Sequence, residues 1–155
     1  MSEKSGVQAI ATNRKAFFNY EIFDRVETGI ALLGTEVKSI RAGGLNFKDS
    51  FVEYRGGELW LVACRIAPYS HGNSGNHADE RDRKLLLHRR EIDKFGGRSV
   101  ERGLTLVPLK AFFKNGRVKI EIGIGRGKRA HDKRETIKRR DQDREMRQAM
   151  ADRNR

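Results

Sequence analysis

Asn13, Arg14 and Lys15 stand immediately before Phe17, Phe18 and Tyr20 in the stretch NRKAFFNY. Cationic side chains suit phosphates, an amide suits a base edge and rings suit stacking, so this mixture can make a nucleic-acid contact. The same stretch also reads as an N-terminal strand that buries Phe17 and Phe18, and composition does not choose between the two. A second basic cluster, RDRKLLLHRR, puts Arg81, Lys84, Arg89 and Arg90 on an expected helix, where a plain solvated face is the alternative. The third and densest, GKRAHDKRETIKRR, runs from Gly127 to Arg140.

Catalytic readings fare worse. GIGRGKR resembles a phosphate loop, but that motif needs four residues between its first Gly and Gly-Lys, then Ser or Thr. Here position 122 is Ile and position 129 is Arg. The histidines at 71, 77, 88 and 131 have no cysteine partners and no HExxH spacing, so neither a metal site nor a cofactor is expected. His88 reads as a packing histidine on the apolar side of a helix. Asp49, Glu53, Glu58 and Glu121 could serve a nuclease, yet carboxylates scattered over strands are ordinarily solvated faces. The expectation is a protein without catalytic residues.

Charge narrows the partners. The 155 residues hold 33 Lys and Arg against 21 Asp and Glu, a formal net charge of +12. Such an excess attracts a polyanion, most simply RNA or DNA, with an affinity that falls steeply as salt rises. From Arg126 to Arg155 there are twelve basic and six acidic side chains, so this fifth of the chain holds half the excess. The lone cysteine, Cys64, sits in the apolar run ELWLVACRI and excludes an internal disulfide. No apolar stretch approaches the length of a membrane span, and the N-terminus lacks the apolar segment of a signal peptide. A cytoplasmic monomer with no membrane partner is the expectation.

The elements that must position these residues read as follows. Residues 1–12 are expected as a flexible N-terminal arm, 13–125 as the folded body and 126–155 as a basic C-terminal tail. YEIFDRV alternates as a strand that ends at a Thr28-Gly29 turn, and IALL reads as a buried strand. A short helix follows, capped by Thr35 and stopped by Gly43-Gly44. DSFVEYRGGELWLVACRI gives two strands around Gly56-Gly57, the second apolar on both faces. Leu85, His88, Ile92 and Phe95 recur at helical spacing before Gly96-Gly97. GLTLVPL and AFFKNGRVKIEIGIG close the body, with Asn115-Gly116 as the strongest hairpin signal and Val118, Ile120, Ile122 and Ile124 in strict alternation. The fold class is mainly β with a few helices: about six strands in a closed, OB-type antiparallel barrel, whose surface suits oligonucleotides.

Taken in order and spacing, NRKA, GIALLGTEVKSIRAGGLNFKDSF, ELWL, RDRKLLLHRREI, GLTLVPL and GKRAHDKR closely resemble the SmpB family, the SsrA-binding proteins of bacterial trans-translation. The resemblance spans roughly residues 10–140. It implies an RNA-binding adaptor that grips the tRNA-like domain of transfer-messenger RNA (tmRNA) and brings it to the A site of a stalled ribosome. The RNA contacts it implies fall on Asn13, Glu27 and Leu86, beside Arg14, Lys15 and Lys84. A carboxylate such as Glu27 can accept hydrogen bonds from base amino groups or a 2′-hydroxyl, and Leu86 would support unstacked bases. Without the resemblance, Leu86 reads as a core residue.

The resemblance also places Gly127, Lys128, Arg129, His131 and Asp132 in the decoding centre. Lys133, Arg134, Lys138, Arg139 and Arg140 would follow in the empty mRNA channel, against small-subunit rRNA. Contact with elongation factor Tu and alanyl-tRNA synthetase, through the charged RNA, is implied as well. Two places depart from the family pattern: GIGR precedes Gly127 where an Ala-Lys-like pair is expected, and Thr28 stands where Ala is usual.

The tail's own residues agree. Beyond Lys133 the large apolar residues are Ile137, Met146 and Met150, too few for a stripe that docks on the body. Glu135 with Arg139 and Asp143 with Arg147 favour a helix by a few tenths of a kcal/mol each. An isolated helix of this length is marginal in water, so the tail is expected to be disordered until a partner induces the helix. A ribosomal or assembly protein with a similar basic arm would share the charge pattern. A nucleic-acid-processing enzyme would instead depend on Asp49 or Glu53.

Overall fold

The computed structural model describes residues 6–70 and 76–153, with the backbone alone at residues 130–132. In chain order the elements are β1 (Val7–Thr12), α1 (Arg14–Asn19), β2 (Tyr20–Ile30), α2 (Gly34–Arg41), β3 (Leu45–Asn46), β4 (Phe51–Arg55) and β5 (Glu58–Val62). There follow β6 (Arg65–Ile66), β7 (Arg83–Leu86), α3 (Arg89–Ser99), β8 (Thr105–Lys114), β9 (Arg117–Gly127) and α4 (Ala130–Arg153). Seven strands form one antiparallel sheet in the order β1-β8-β9-β2-β7-β5-β4, and β3 pairs with β6 apart from it.

Turn chemistry sets the register of both tight hairpins. Gly56 and Gly57 take φ of +60° and +77° between β4 and β5, and Asn115 and Gly116 take +51° and +79° between β8 and β9. Two successive positive φ values match the right-handed twist of the flanking strands, which is why Gly-Gly and Asn-Gly stand there. Val118, Ile120, Ile122 and Ile124 of β9 then all point inward, together with Leu59 and Leu61 of β5 and Leu85 of β7. β8 is buried on both faces. Leu106 and Ala111 enter the main core, whereas Val107 and Leu109 lie under α1 against Ala16, with Phe17, Tyr20 and Ile22 around them. That double burial explains the unbroken apolar run GLTLVPL.

Several expectations are corrected by this architecture. Residues 7–12 form β1 on the outer edge of β8 instead of belonging to a loose arm. NRKAFFN is helical: Asn13 caps α1, its side-chain oxygen accepting from the Ala16 N–H at 3.4 Å. Thr28-Gly29 is not a turn, because β2 continues to Ile30 and the buried Thr28 hydroxyl donates to the Ile120 carbonyl at 2.9 Å. The space a family Ala would leave is thus filled by a hydroxyl with a partner.

The helix expected from Leu85 splits in two. Leu85 and Leu86 alternate in and out along β7, and α3 starts after an exposed His88 at its N-cap. Gly96 lies inside α3, not at its end, because the Tyr54 ring occupies the place of its side chain; a Cβ there would meet ring carbons at 2.6 Å. The sheet is also open rather than closed. Among the described residues the ladder ends at β1 and β4, and β4 approaches β8 without strand pairing. With β1 paired along the Lys110–Lys114 half of β8, that length of edge is no longer available to complete a barrel.

Candidate nucleic-acid interface

A buried charge network fixes the elements beneath the outer surface. Glu36, fully buried at the start of α2, accepts from Arg83 and Arg81 at 2.5 Å each and from the Leu33 N–H at 2.8 Å. Arg83, also fully buried, donates further to the carbonyls of Cys64 at 2.6 Å, Asp79 at 3.1 Å and Ala78 at 3.3 Å. Each charge here has a partner, as burial demands, although the buried Nε of Arg81 has none of its own. Burial pushes the Glu36 carboxyl up, but the hydrogen bonds from Arg81, Leu33 and Arg83 outweigh it and hold the group below the usual carboxylate range. The same burial pushes the Cys64 thiol up to about 12, so it is an inert packing group.

His77 completes the frame. One ring nitrogen meets the Ile66 carbonyl at 2.9 Å and the other the Thr35 hydroxyl at 2.9 Å. The carbonyl can only accept, so Nε2 donates to it, and the Thr35 hydroxyl, which can donate or accept, meets Nδ1. GTEVKS and the RDR of RDRK are therefore scaffold residues, which pin α2 and the approach to β7.

On that scaffold, the ladder pairs Thr12 with Lys110, Lys110 with Glu121, and Glu121 with Glu27 across β1, β8, β9 and β2. Two residues past Glu27, on the same face, Gly29 pairs with Leu86 of β7. Strands spaced about 4.8 Å apart make this a band of about 19 Å. Asn13 sits at one end, joined to the sheet by its amide donating to the Pro108 carbonyl at 2.8 Å and its N–H to Leu109. At the other end Leu86 is 49% exposed, while its neighbour Leu85 is fully buried. Gly29 leaves the Leu86 side chain room, since a Cβ there would come within 3.2 Å of it.

Arg14 and Lys15 are exposed on the first turn of α1, across a concave surface from Asn46 and Lys48. Glu27 is exposed and ion-paired with Lys114 at 3.3 Å, and Arg25 reaches Glu121 at 3.4 Å. Lys84, opposite Trp60, lies 3.8 Å from Glu58. Asn13, Glu27 and Leu86 thus share one band, with Lys84 at its β5 border. Arg81 does not share a face with Lys84, because it turns inward to Glu36. Lys110 lies within the band and Arg25, Lys114 and Lys119 border it; all four were passed over by the sequence reading. The strict alternation from Arg117 to Ile124 carried the signal for Lys119, but the cross-strand register did not show in it.

The tail begins at a second place. The Lys128 N–H donates to the Asn19 carbonyl at 2.8 Å, and its ammonium to the Thr136 hydroxyl at 2.9 Å. Lys133 and Arg140 lie over the Phe18 ring, 6.0 and 5.2 Å from its centroid. The root of α4 therefore rests on α1 by cation–π contact, without the apolar stripe its composition lacks. Between those two contacts Lys138 and Arg139 are exposed, as are Met146 and Met150 farther along the helix. Gly127, Arg129 and Arg134 are exposed. The side chains of His131 and Asp132 fall outside the described residues. The tail takes the helical form expected of it on a partner, from Ala130 to Arg153.

Fold and site together define a small antiparallel β protein with a scaffolded polar sheet face and a basic helical arm. The SmpB protein family model matches residues 10–152, and the chain belongs to the SmpB family. An SsrA-binding protein from Syntrophotalea carbinolica is 53% identical over 148 residues, 96% of this chain and 99% of that protein. One from Thermosynechococcus vestitus is 52% identical over 148 residues, covering 95% and 97%. A solved structure described as "tmRNA-SmpB: a journey to the center of the bacterial ribosome" is 47% identical, with a TM-score of 0.66, over 79% of this chain and 86% of that one.

Proposed function

We propose that this chain is an RNA-binding adaptor of trans-translation: it binds the tRNA-like domain of tmRNA and escorts it to the A site of stalled ribosomes. The band from Asn13 through Glu27 to Leu86 meets the tRNA-like domain, with Arg14, Lys15 and Lys84 on phosphates. The observation that carries this is the pair Leu85 and Leu86: one fills the core, and the other is held in solvent beside Glu27 by a glycine opposite. A large apolar side chain kept exposed on a polar sheet face suits unstacked bases better than it suits water. The near-full-length likeness to SsrA-binding proteins supplies the RNA. The root of the tail, Gly127 to Asp132, serves the decoding centre, and Lys133 to Arg140 with the rest of α4 serve the empty mRNA channel. No helix among the described residues is long and apolar enough to cross a membrane. Such an adaptor works on ribosomes in the cytoplasm.

Truncation after Gly127 keeps β9 whole and tests the division of labour. The shortened protein is expected to hold the isolated tRNA-like domain as before, and to fail in peptide tagging on stalled ribosomes. Loss of both would show that the tail serves the first RNA too, and loss of neither would refute its ribosomal role.

A further inference from the structure

β2 carries one irregularity, and it falls on an aromatic residue. The ladder with β9 runs Glu21 to Arg126 and Ile22 to Gly125, then resumes with Asp24 opposite Ile124. Phe23 is the extra residue. Bulges of this kind re-aim a side chain, and here Phe23 ends 45% exposed. Burying that ring would be the ordinary fate of a phenylalanine. Instead the Arg126 guanidinium lies 5.4 Å from its centroid. Arg126 also passes over Gly103, whose φ is +82° and whose missing side chain would come within 3.7 Å of the guanidinium.

The surroundings favour an anionic ligand. Arg102 precedes that glycine, and Lys94 and Arg98 of α3 face Asp24, with Lys94 ion-paired to it at 2.9 Å. Glu21, opposite Arg126 in the ladder, Asp24, and Glu101 beside Arg102 are the opposing carboxylates, three against the four cations Arg126, Arg102, Lys94 and Arg98. A protein partner would ask for a contiguous apolar patch, whereas one ring with a stacked guanidinium among cations matches a single base and its phosphates.

We propose that Phe23 and Arg126 form a stacking platform for one unpaired nucleotide of RNA, at the end of the sheet where the tail leaves it. The platform lies outside the band that ends at Leu86, and it rests on the RNA-binding reading above. The nucleotide belongs to RNA engaged together with the tail root, since Arg126 directly precedes Gly127 and Lys128.

Fluorescence anisotropy with full-length protein, using a labelled single-stranded 12-mer RNA and the matching 12-base-pair RNA duplex, tests this. Phe23→Ala is expected to weaken the single strand by about 5- to 30-fold, the loss of one stacked base, and to leave the duplex and the salt slope unchanged. Phe23→Tyr restores binding, and Arg126→Lys, which keeps the charge, loses part of the single-strand preference. A circular-dichroism melt of each variant separates misfolding from lost stacking, and the Tyr variant carries the test if Phe23→Ala unfolds. Equal weakening of single strand and duplex, or no weakening of either, overturns the platform. Failure of the unaltered protein to bind either RNA in a salt-dependent way would instead overturn the RNA-binding reading.

Discussion

Around Glu36 a buried carboxylate is matched by the buried Arg83 and the partly buried Arg81, whereas along α4 charges of both signs stand in solvent on a helix that meets the body through Lys133 and Arg140. The two regions use the same residue types to opposite ends. Buried charges must be matched at once by fixed partners, so they specify geometry and are withdrawn from any ligand. Exposed ones contribute little to stability and stay available to a polyanion. A charge count over the whole chain cannot separate the two, although only the second kind bears on binding.

The sharpest way to break this contrast is Glu36→Gln. Removing the carboxylate leaves Arg83 buried with its main counter-charge gone, and the expected loss is about 3–5 kcal/mol in chemical denaturation. An unchanged midpoint would mean that the network does not hold the fold. Leu85→Ala comes next, at about 2–5 kcal/mol for a filled core position, while Leu86→Ala should shift stability by no more than about 0.5 kcal/mol. In binding to the tRNA-like domain the order should reverse, with Leu86→Ala the damaging variant once both proteins are folded.

Acid sharpens the comparison further. Glu36 titrates lower in the folded chain than its ordinary value of 4.5, so it contributes stability above that pH. That stability is lost as the pH falls through the lower folded value. Thermal melts from pH 6 downwards should show this acid-side decline in the parent and a flatter one in Glu36→Gln. The smallest effect belongs to the tail: Phe18→Ala removes two cation–π contacts of about 0.5–1 kcal/mol each. Hydrogen exchange should quicken at amides 133–140, with the sheet amides unaltered.

The sheet hairpins were legible because Gly-Gly and Asn-Gly have few other uses between alternating apolar residues. Alternation likewise gave the inward face of β9. The α1 helix was hidden by its brevity: six residues with adjacent phenylalanines have no period to read, and the Asn13 cap shows only once Ala16 is seen to donate to it. The run KLLL defeats periodicity in the same way: Lys84, Leu85, Leu86 and Leu87 matched a helix until β2 and β5 supplied strand partners. Of the candidate site, Asn13, Glu27 and Leu86 could be named from motif resemblance. That they line up in one band depends on cross-strand register, which only long-range pairing sets. Phe18 was noted as a stacking ring, but its hold on Lys133 and Arg140 joins residues far apart in the chain.

That hold turns α4 into a ruler. The contact with Phe18 fixes the helix as far as Arg140, and Asp141 to Arg153 then projects about 20 Å at 1.5 Å per residue. Its reach is therefore set by residue count, and each residue removed from the far end shortens it by a known step while the anchored end stays where it is.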